Sequence, residues 1–388
     1  MEFLIELLVL LLFAKVMGEV FHHYGFSPLV GEVAAGIMLG PAALGIIAQN
    51  PRIEAVAMLG LIILMLVSGM NSRFDVLARI RFKSTVVSLT GVCLSLLLGS
   101  CTGYILTGNI LSALFIGAVL SNTATEVVVR FTAKSHLSHL VTGAAIIDDI
   151  IAVYILGLVS TITLKQALGL PPDISAVIMT TLGIAAFFIV VAYLSRELVV
   201  RLNVIKRLWG FRGKGVPVTF AAVLALLLAV IARYVGLHEI IGAYMAGLFI
   251  GRLRERPDAM LLSRIRLNAL LDDMSNVMQA VLTPFFFAYV GLLLPSLQGI
   301  NLLMFLAFLG AALAGKMFGA GLGAALLGYG WRDSVRTGLA MCARGSLELA
   351  MLQVGLVTGI LSANVYLVMV VTVLATAILS PVLFRLAG

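Results

Sequence analysis

The sequence predicts an all-α polytopic membrane protein with about 13 transmembrane helices, arranged as an inverted repeat with two crossed broken helices. Three observations support this fold class: the composition, the long apolar runs, and a pair of similar segments 211 residues apart. Of the 388 residues, 61% are hydrophobic and only 11% are charged, whereas a soluble domain averages about 25% charged residues. The composition therefore argues against a soluble enzyme, a disordered scaffold or a nucleic-acid binder, despite the net charge of +8.

The apolar runs are long enough for thirteen spans, because a transmembrane helix needs about 20 apolar residues. The first run begins with acidic residues rather than a basic region, so we interpret it as a span and not as a cleaved signal peptide. The predicted spans lie near residues 2–21, 28–47, 54–71, 84–107, 110–130, 138–164, 174–195, 216–235, 238–252, 274–294, 300–328, 334–358 and 362–385.

Basic residues predict how these spans are oriented. Twenty of the 26 lysines and arginines fall in or beside the connections after spans three, five, seven, nine and eleven, or after span thirteen. Cytoplasmic connections carry an excess of lysine and arginine. We therefore expect a multi-pass protein of the cell membrane with its N-terminus outside and its C-terminus in the cytoplasm.

An internal repeat relates the second span to the ninth. The run PLVGEVAAGIMLG at 28–40 aligns with EIIGAYMAGLFIG at 239–251, and four small residues coincide. The next spans show a fainter match, which ends near Gly69 in one copy and near Gly291 in the other. Seven spans separate the copies, so the two copies have opposite orientations. Inverted repeats with a binding site between them are typical of secondary transporters.

Two spans at matching repeat positions are interrupted by residues that favour irregular backbone. The fifth span contains SNTATEVVVR and the twelfth contains CARGSLEL. Backbone unwinds inside a membrane only where it is buried in protein or lines a cavity, and its free carbonyls and helix ends can bind ions. The residues that mark the two interruptions are Asn122, Thr123, Thr125 and Glu126 in the first, and Arg344, Gly345, Ser346 and Glu348 in the second.

The sixth span carries two adjacent acids, Asp148 and Asp149, in the middle of an apolar run. A carboxylate at the bilayer centre costs at least ~2.5–3.5 kcal/mol, and neighbouring side chains on a helix point about 100° apart. One aspartate can therefore face a cavity while the other faces a partner helix. Burial favours the uncharged form of a carboxyl group, so such a group can alternate between a proton and a small cation.

Lys316 in the eleventh span is the natural counter-charge for this pair. Either it forms a static salt bridge that offsets burial, or it exchanges a proton with its partner carboxylate. The sequence leaves both interpretations open. Two further pairs are four residues apart, which is the spacing of side-chain contacts on a helix: Arg344 with Glu348, and Lys15 with Glu19.

Several of these motifs together resemble the monovalent cation:proton antiporter-2 family, of the bacterial and archaeal sodium/proton antiporter type, which is related to the potassium-efflux antiporters. The resemblance extends from about residue 10 to the end. The motifs that carry it, in order, are PLVGEVAAGIMLGPAALG, SNTATEVVVR, IIDDIIAVY, the Gly-Lys pair at 315–316 and ARGSLEL. It implies a thirteen-helix fold in which a core of two crossed, broken helices moves against a dimerisation domain, and it implies a homodimer.

The resemblance also implies roles for individual residues. Asp149 would bind the cation or the proton, and Asp148 would pair with Lys316 as in electrogenic sodium/proton antiporters. We expect Thr123, Thr125 and Glu126 at the same ion and proton site. Asn122, Arg344, Ser346 and Glu348 would support the broken helices. The sequence departs from the family pattern where Glu126 replaces a small residue, and an extra acid there would change selectivity or the number of protons exchanged.

The resulting prediction is a single exchanger domain over residues 1–388, with repeats at about 28–164 and 238–385 and no cytoplasmic regulatory domain. We expect it to exchange Na⁺ or Li⁺ for H⁺ by alternating access in pH homeostasis, not to act as an enzyme, and to need no cofactor besides the transported ions. Two alternatives stay open: a K⁺/H⁺ antiporter of the potassium-efflux type, and, from a different class, a passive cation channel.

Overall fold

The computed structural model describes residues 2–71, 74–167, 216–234, 238–254, 280–295 and 300–387, together with residue 276 and a few positions between 181 and 193. These residues form helices and connections, with no strand among them. The helices are α1 (Glu2–His23), α2 (Pro28–Leu39), α3 (Pro51–Asn71), α4 (Phe74–Thr107), α5 (Ile110–Ser121), α6 (Thr125–Thr132), α7 (Ser138–Ala167), α8 (Val216–Tyr234), α9 (Glu239–Arg254), α10 (Ala280–Leu292), α11 (Leu302–Leu326), α12 (Trp331–Ala340), α13 (Ser346–Val357) and α14 (Ala363–Leu386).

These helices confirm the predicted all-α membrane fold. Six helical segments of the described chain are long and apolar enough to cross a membrane, and further helices are apolar but shorter. The fifth and twelfth predicted spans are each divided into two helices, α5 with α6 and α12 with α13. The seventh predicted span, 174–195, lies almost entirely outside the described residues.

The second span is shorter than predicted. We expected it to reach residue 47, but α2 ends at Leu39. Gly40 and Pro41 follow, and Gly40 is extended at φ −82° and ψ −179°, because the residue before a proline is disfavoured in the helical conformation. The chain then turns back, with Gly45 at φ +65° and the amide of Ile47 donating to Leu39 O at 2.9 Å. The backbone groups after the helix are thus satisfied by a compact turn.

The chain divides into two compact units. The first contains residues 1–55, 76–156 and 284–388, and the second contains 56–75 and 157–283. All the candidate site residues lie in the first unit. The borders of these units differ from the repeat borders predicted from sequence, so the predicted repeats stay a prediction.

Glycine contacts nevertheless follow the offset of 211 residues within each unit. In the first unit, a Cβ added to Gly31 of α2 would overlap the carbonyl oxygen of Met17 in α1. In the second, a Cβ added to Gly242 of α9 would overlap the carbonyl oxygen of Leu228 in α8. Both members of the first contact are 211 residues before those of the second. Only glycine permits such close approach of two helix backbones.

The fainter sequence match shows the same correspondence. A Cβ on Gly291 of α10 would lie 2.9 Å from the backbone of Gly36 in α2, and one on Gly69 of α3 would lie 2.9 Å from that of Gly247 in α9. Gly36 and Gly247 are themselves 211 residues apart. The second helix of each proposed copy therefore packs against the first helix of the other copy, and this arrangement supports the repeat.

Candidate functional site

Two interruptions of helical backbone form the framework of the site. The first runs through Asn122, whose φ and ψ are −76° and 165°, to Ala124, at −70° and 104°. The second lies between the end of α12 at Ala340 and the start of α13 at Ser346. Threonine and asparagine are poor helix formers, and the first interruption is rich in them. The predicted broken helices are therefore present.

The two interruptions cross and bond to each other. The amide of Ala124 donates to the carbonyl oxygen of Ala343 at 2.9 Å, and the hydroxyl of Thr123 donates to Met341 O, also at 2.9 Å. A Cβ at Gly345 would lie only 2.6 Å from that of Ala124. Gly345 thus permits the close approach of the two interrupted segments. The bonds between them satisfy backbone groups that have no helical partner there.

Charged side chains lie at helix ends of opposite polarity. Arg344, fully buried, donates from Nη2 to Leu120 O near the C-terminal end of α5, and to Ala312 O of α11 at 3.4 Å. At the N-terminal end of α13, the amide of Gly345 donates to Glu348 Oε2 at 2.9 Å. Helix ends carry partial charges that such partners stabilise.

Glu126 reaches the same end of α13 from the other broken helix. Its Oε1 atom accepts a bond from the amide of Ser346 at 3.0 Å and another from the Ser346 hydroxyl. The carboxylate therefore joins α6 to α13 across the crossing. Ser346 is buried, whereas Glu126 is exposed.

The paired aspartates of α7 have different partners. Asp148 accepts a bond from Lys316 Nζ, and its other oxygen accepts one from Ser88 Oγ of α4 at 2.6 Å. Both side chains of this ion pair are completely buried. Asp149, 4% exposed, instead accepts a bond at 2.8 Å from Thr125 Oγ1, in the first turn of α6. The two carboxylates thus point to different neighbours, as their helical spacing predicts.

Asp149 has no cationic partner among the described residues. No lysine, arginine or histidine nitrogen of that part of the chain lies within 4.0 Å of its carboxylate. Its hydroxyl partner Thr125 is followed in the chain by a further acid, Glu126. Asn122 is 1% exposed, and its amide N and O have no hydrogen-bond partner among the described residues. The crossing therefore places an uncompensated carboxyl group near several oxygen atoms.

Two local pairs expected from sequence are wrong. Arg344 and Glu348 do not form an i, i+4 ion pair, because Arg344 lies in the interruption and bonds to backbone carbonyls instead. Lys15 contacts Glu32 of α2, with Nζ and Oε1 3.7 Å apart, rather than Glu19 of its own helix. In both cases a partner from another element replaces the neighbour along the chain.

Sequence reasoning missed two contacts of buried acidic residues. Ser88 bonds Asp148, yet the sequence around it is an ordinary apolar run with scattered hydroxyl residues. Glu32, which is buried against Lys15, lies inside the second-span motif. An acid within an apolar helix is a signal that could have identified Glu32, whereas serine is common enough in membrane helices to give no signal.

The sequence profile described as "Sodium/hydrogen exchanger, transmembrane" matches residues 8–385 of the chain. The probable Na⁺/H⁺ antiporter GerT of Bacillus cereus is 26% identical over 379 residues, which covers 96% of this chain and 95% of GerT. The Na⁺/H⁺-K⁺ antiporter GerN of the same organism is 25% identical over 391 residues, covering 99% of this chain and 96% of GerN.

A solved structure shows the same fold. The sodium proton antiporter MjNhaP1 from Methanocaldococcus jannaschii, determined at pH 8, superposes with a TM-score of 0.72 at 15% sequence identity. The match covers 99% of this chain and 96% of the other.

Proposed function

The chain belongs to the sodium/hydrogen exchanger family, and we propose that it exchanges Na⁺ or Li⁺ for H⁺ across the cell membrane by alternating access. The observation that supports this most directly is the contrast between the two aspartates. Lys316 neutralises Asp148, whereas Asp149 lies at the crossing with a hydroxyl partner and no cation. A buried carboxylate in that position is stabilised when it binds either a proton or a metal cation.

Competition between the two ligands is the basis of exchange. A protonated Asp149 has lost the negative charge that holds Na⁺, so one ligand must leave before the other binds. Oxygen atoms are the preferred ligands of small hard cations. Asp149, Thr125 and Thr123 supply carboxylate, hydroxyl and backbone oxygens, and the free amide oxygen of Asn122 is a fourth candidate.

Asp148 and Lys316 are proposed to form a proton-linked pair beside this site. Their ion pair is completely buried, so the charged state of each depends on the other. The Ser88 hydroxyl keeps Asp148 oriented toward the lysine. If Lys316 loses its proton when Asp149 takes up the cation, more than one proton moves per cation and exchange is electrogenic.

The wider assignment rests on sequence and resemblance. We propose the N-terminus outside and the C-terminus in the cytoplasm, because basic residues concentrate on one side of the predicted spans. We propose a homodimer on the resemblance to dimeric exchangers alone. The proposed transport requires no catalytic residue and no resident cofactor.

The test replaces Asp149 by asparagine and measures Na⁺-driven proton movement in proteoliposomes. Asp149→Asn keeps the size and the acceptor oxygen for Thr125 but removes the negative charge, so exchange is expected to fall to background. Asp333→Asn is the matched control, because Asp333 pairs with His136 near the start of α12, away from the crossing. Undiminished exchange in the Asp149 variant would refute the proposal.

K⁺/H⁺ antiport is the second candidate, because the relative GerN is named a Na⁺/H⁺-K⁺ antiporter. Parallel assays with Na⁺, Li⁺ and K⁺, with and without an imposed potential, separate these readings. Proton movement driven by K⁺ but not by Na⁺ would favour the second candidate. A passive channel is identified by the absence of uphill proton movement with any of the three ions.

A further inference from the structure

One face of α6 carries charge from the crossing to the end of the helix. Glu126 and Arg130 are four residues apart in α6, and both are exposed, as is Val129 beside them; Lys134 is also exposed but lies in the turn after the helix ends at Thr132. Residues spaced by four lie on the same face of a helix. Charged side chains are strongly disfavoured in hydrocarbon, so this face borders water at the depth where the helix begins.

Glu126 is the innermost residue of this face. It is adjacent in sequence to Thr125, which donates to Asp149. Arg130, on the same face, repels a cation that approaches along it. Glu126 is therefore the only residue of this exposed set that attracts a cation on the way to Asp149.

The carboxylate of Glu126 can accept further bonds beyond those from Ser346. Both bonds from Ser346 go to Oε1, and an ionised carboxylate offers about four lone-pair sites on its two oxygens. A cation bound at Oε2 draws negative charge away from Oε1 and so weakens the two Ser346 bonds. Binding of the cation and capping of α13 are thus opposed.

We propose that Glu126 is a specificity-determining residue that receives the cation before Asp149 and, in the absence of the cation, caps α13 through Ser346. This inference rests on the proposed exchange function. Entry of the cation weakens the Ser346 bonds and so loosens the joint between the two broken helices. The extra acid thereby couples arrival of the cation to the crossing itself.

The first variant is Glu126→Gln, which removes the charge but keeps an oxygen that can accept both bonds from Ser346. We expect the Na⁺ concentration for half-maximal exchange to rise about tenfold, with little change in maximal rate. The free energy of a bond to a charged group is at least as large as that of a tenfold change in dissociation constant. Glu19→Gln is the control, because Glu19 is an exposed acid of α1. It is expected to leave that concentration unchanged.

The second variant, Ser346→Ala, removes the hydroxyl donor and leaves Glu126 with the amide bond alone, so more of its charge is available to the cation. The half-maximal Na⁺ concentration is then expected to fall, by about two- to fivefold for the loss of one hydrogen bond. If Glu126 acts only as a structural cap, both variants instead lower the maximal rate or the melting temperature at an unchanged half-maximal concentration. That result would overturn the inference.

Binding is also measured without transport, as the Na⁺-dependent rise in melting temperature of the purified protein in detergent. A ligand that binds the folded state stabilises it in proportion to the logarithm of its concentration over the dissociation constant. Normal Na⁺ binding in a wild-type protein that moves no protons would refute the proposed exchange and leave the Glu126 inference intact. An unchanged binding midpoint in Glu126→Gln would refute the inference alone.

Discussion

Each buried charge near the crossing has a specific set of partners, and the differences between these sets distinguish residues that look alike in sequence. Asp148 has an ammonium and a hydroxyl as partners. Asp149, its neighbour in the chain, has a hydroxyl. The attraction to its partner offsets part of the desolvation cost of a paired buried charge. An unpaired buried carboxylate is stabilised instead by binding a proton or a cation. We therefore propose the ligand-binding role for Asp149.

The Asp148–Lys316 pair makes a prediction about stability. Lys316→Met leaves Asp148 buried without its counter-charge and should destabilise the fold by ~3–5 kcal/mol. The double variant Asp148→Asn, Lys316→Met removes both charges and should recover most of that loss. Thermal unfolding in detergent compares the two. A double variant that is as unstable as the single one would contradict the assignment of the pair as mutually compensating.

At the level of helices, packing depends on glycine at the places where two backbones meet. Gly36 of α2 faces α10 so closely that an added Cβ would overlap the carbonyl oxygen of Ala288. Gly310 of α11 has no atom within 4 Å of an added Cβ. The two glycines therefore differ. Gly36 permits the close approach of α2 and α10, whereas a Cβ at Gly310 would meet no atom of the described residues within 4 Å.

These two glycines form a matched experiment. Gly36→Ala should destabilise the protein by about 1–3 kcal/mol, because overpacking forces the two helices apart. Gly310→Ala should be neutral or stabilise it by up to about 1 kcal/mol, since alanine is the better helix former. Melting temperatures of the purified variants test both. Equal effects would show that intrinsic helix propensity, rather than the α2–α10 contact, determines the result.

For the molecule as a whole, the arrangement in the membrane follows from where its few charges lie. Most basic residues are in connections on one side of the predicted spans. Among the buried charges, Glu32 pairs with Lys15, whereas the others lie at or beside the crossing. We propose that the basic residues orient the chain in the bilayer and that the charges at the crossing carry the exchange.

Labelling of single cysteines tests this orientation. With Cys93, Cys101 and Cys342 replaced, Ala48→Cys should react with a membrane-impermeant maleimide on intact cells. Arg332→Cys should react only after the membrane is opened. Both positions are exposed at the ends of helical segments. The reverse pattern would invert the proposed topology, since the two sites are predicted to lie on opposite sides.

Composition and local pattern by themselves predicted the class of fold, the approximate spans and both interruptions, and they indicated candidate residues for the site. They could do so because a bilayer imposes strong constraints. Each span must contain about 20 apolar residues, and a charge within a span is so costly that its presence usually marks a functional site. The role of Lys316 as the counter-charge also followed, as there were few buried charges to choose from, whereas its pairing with Asp148 in particular was implied by the family resemblance.

Tertiary structure alone decided how these residues are connected. It placed Arg344 on the carbonyls of α5 and α11 rather than on Glu348, joined Lys15 to Glu32, and brought Ser88 to Asp148. It also showed that Glu126 spans the crossing to Ser346. Sequence spacing predicts contacts along one helix, whereas these contacts join different helices, whose approach depends on packing over the whole unit.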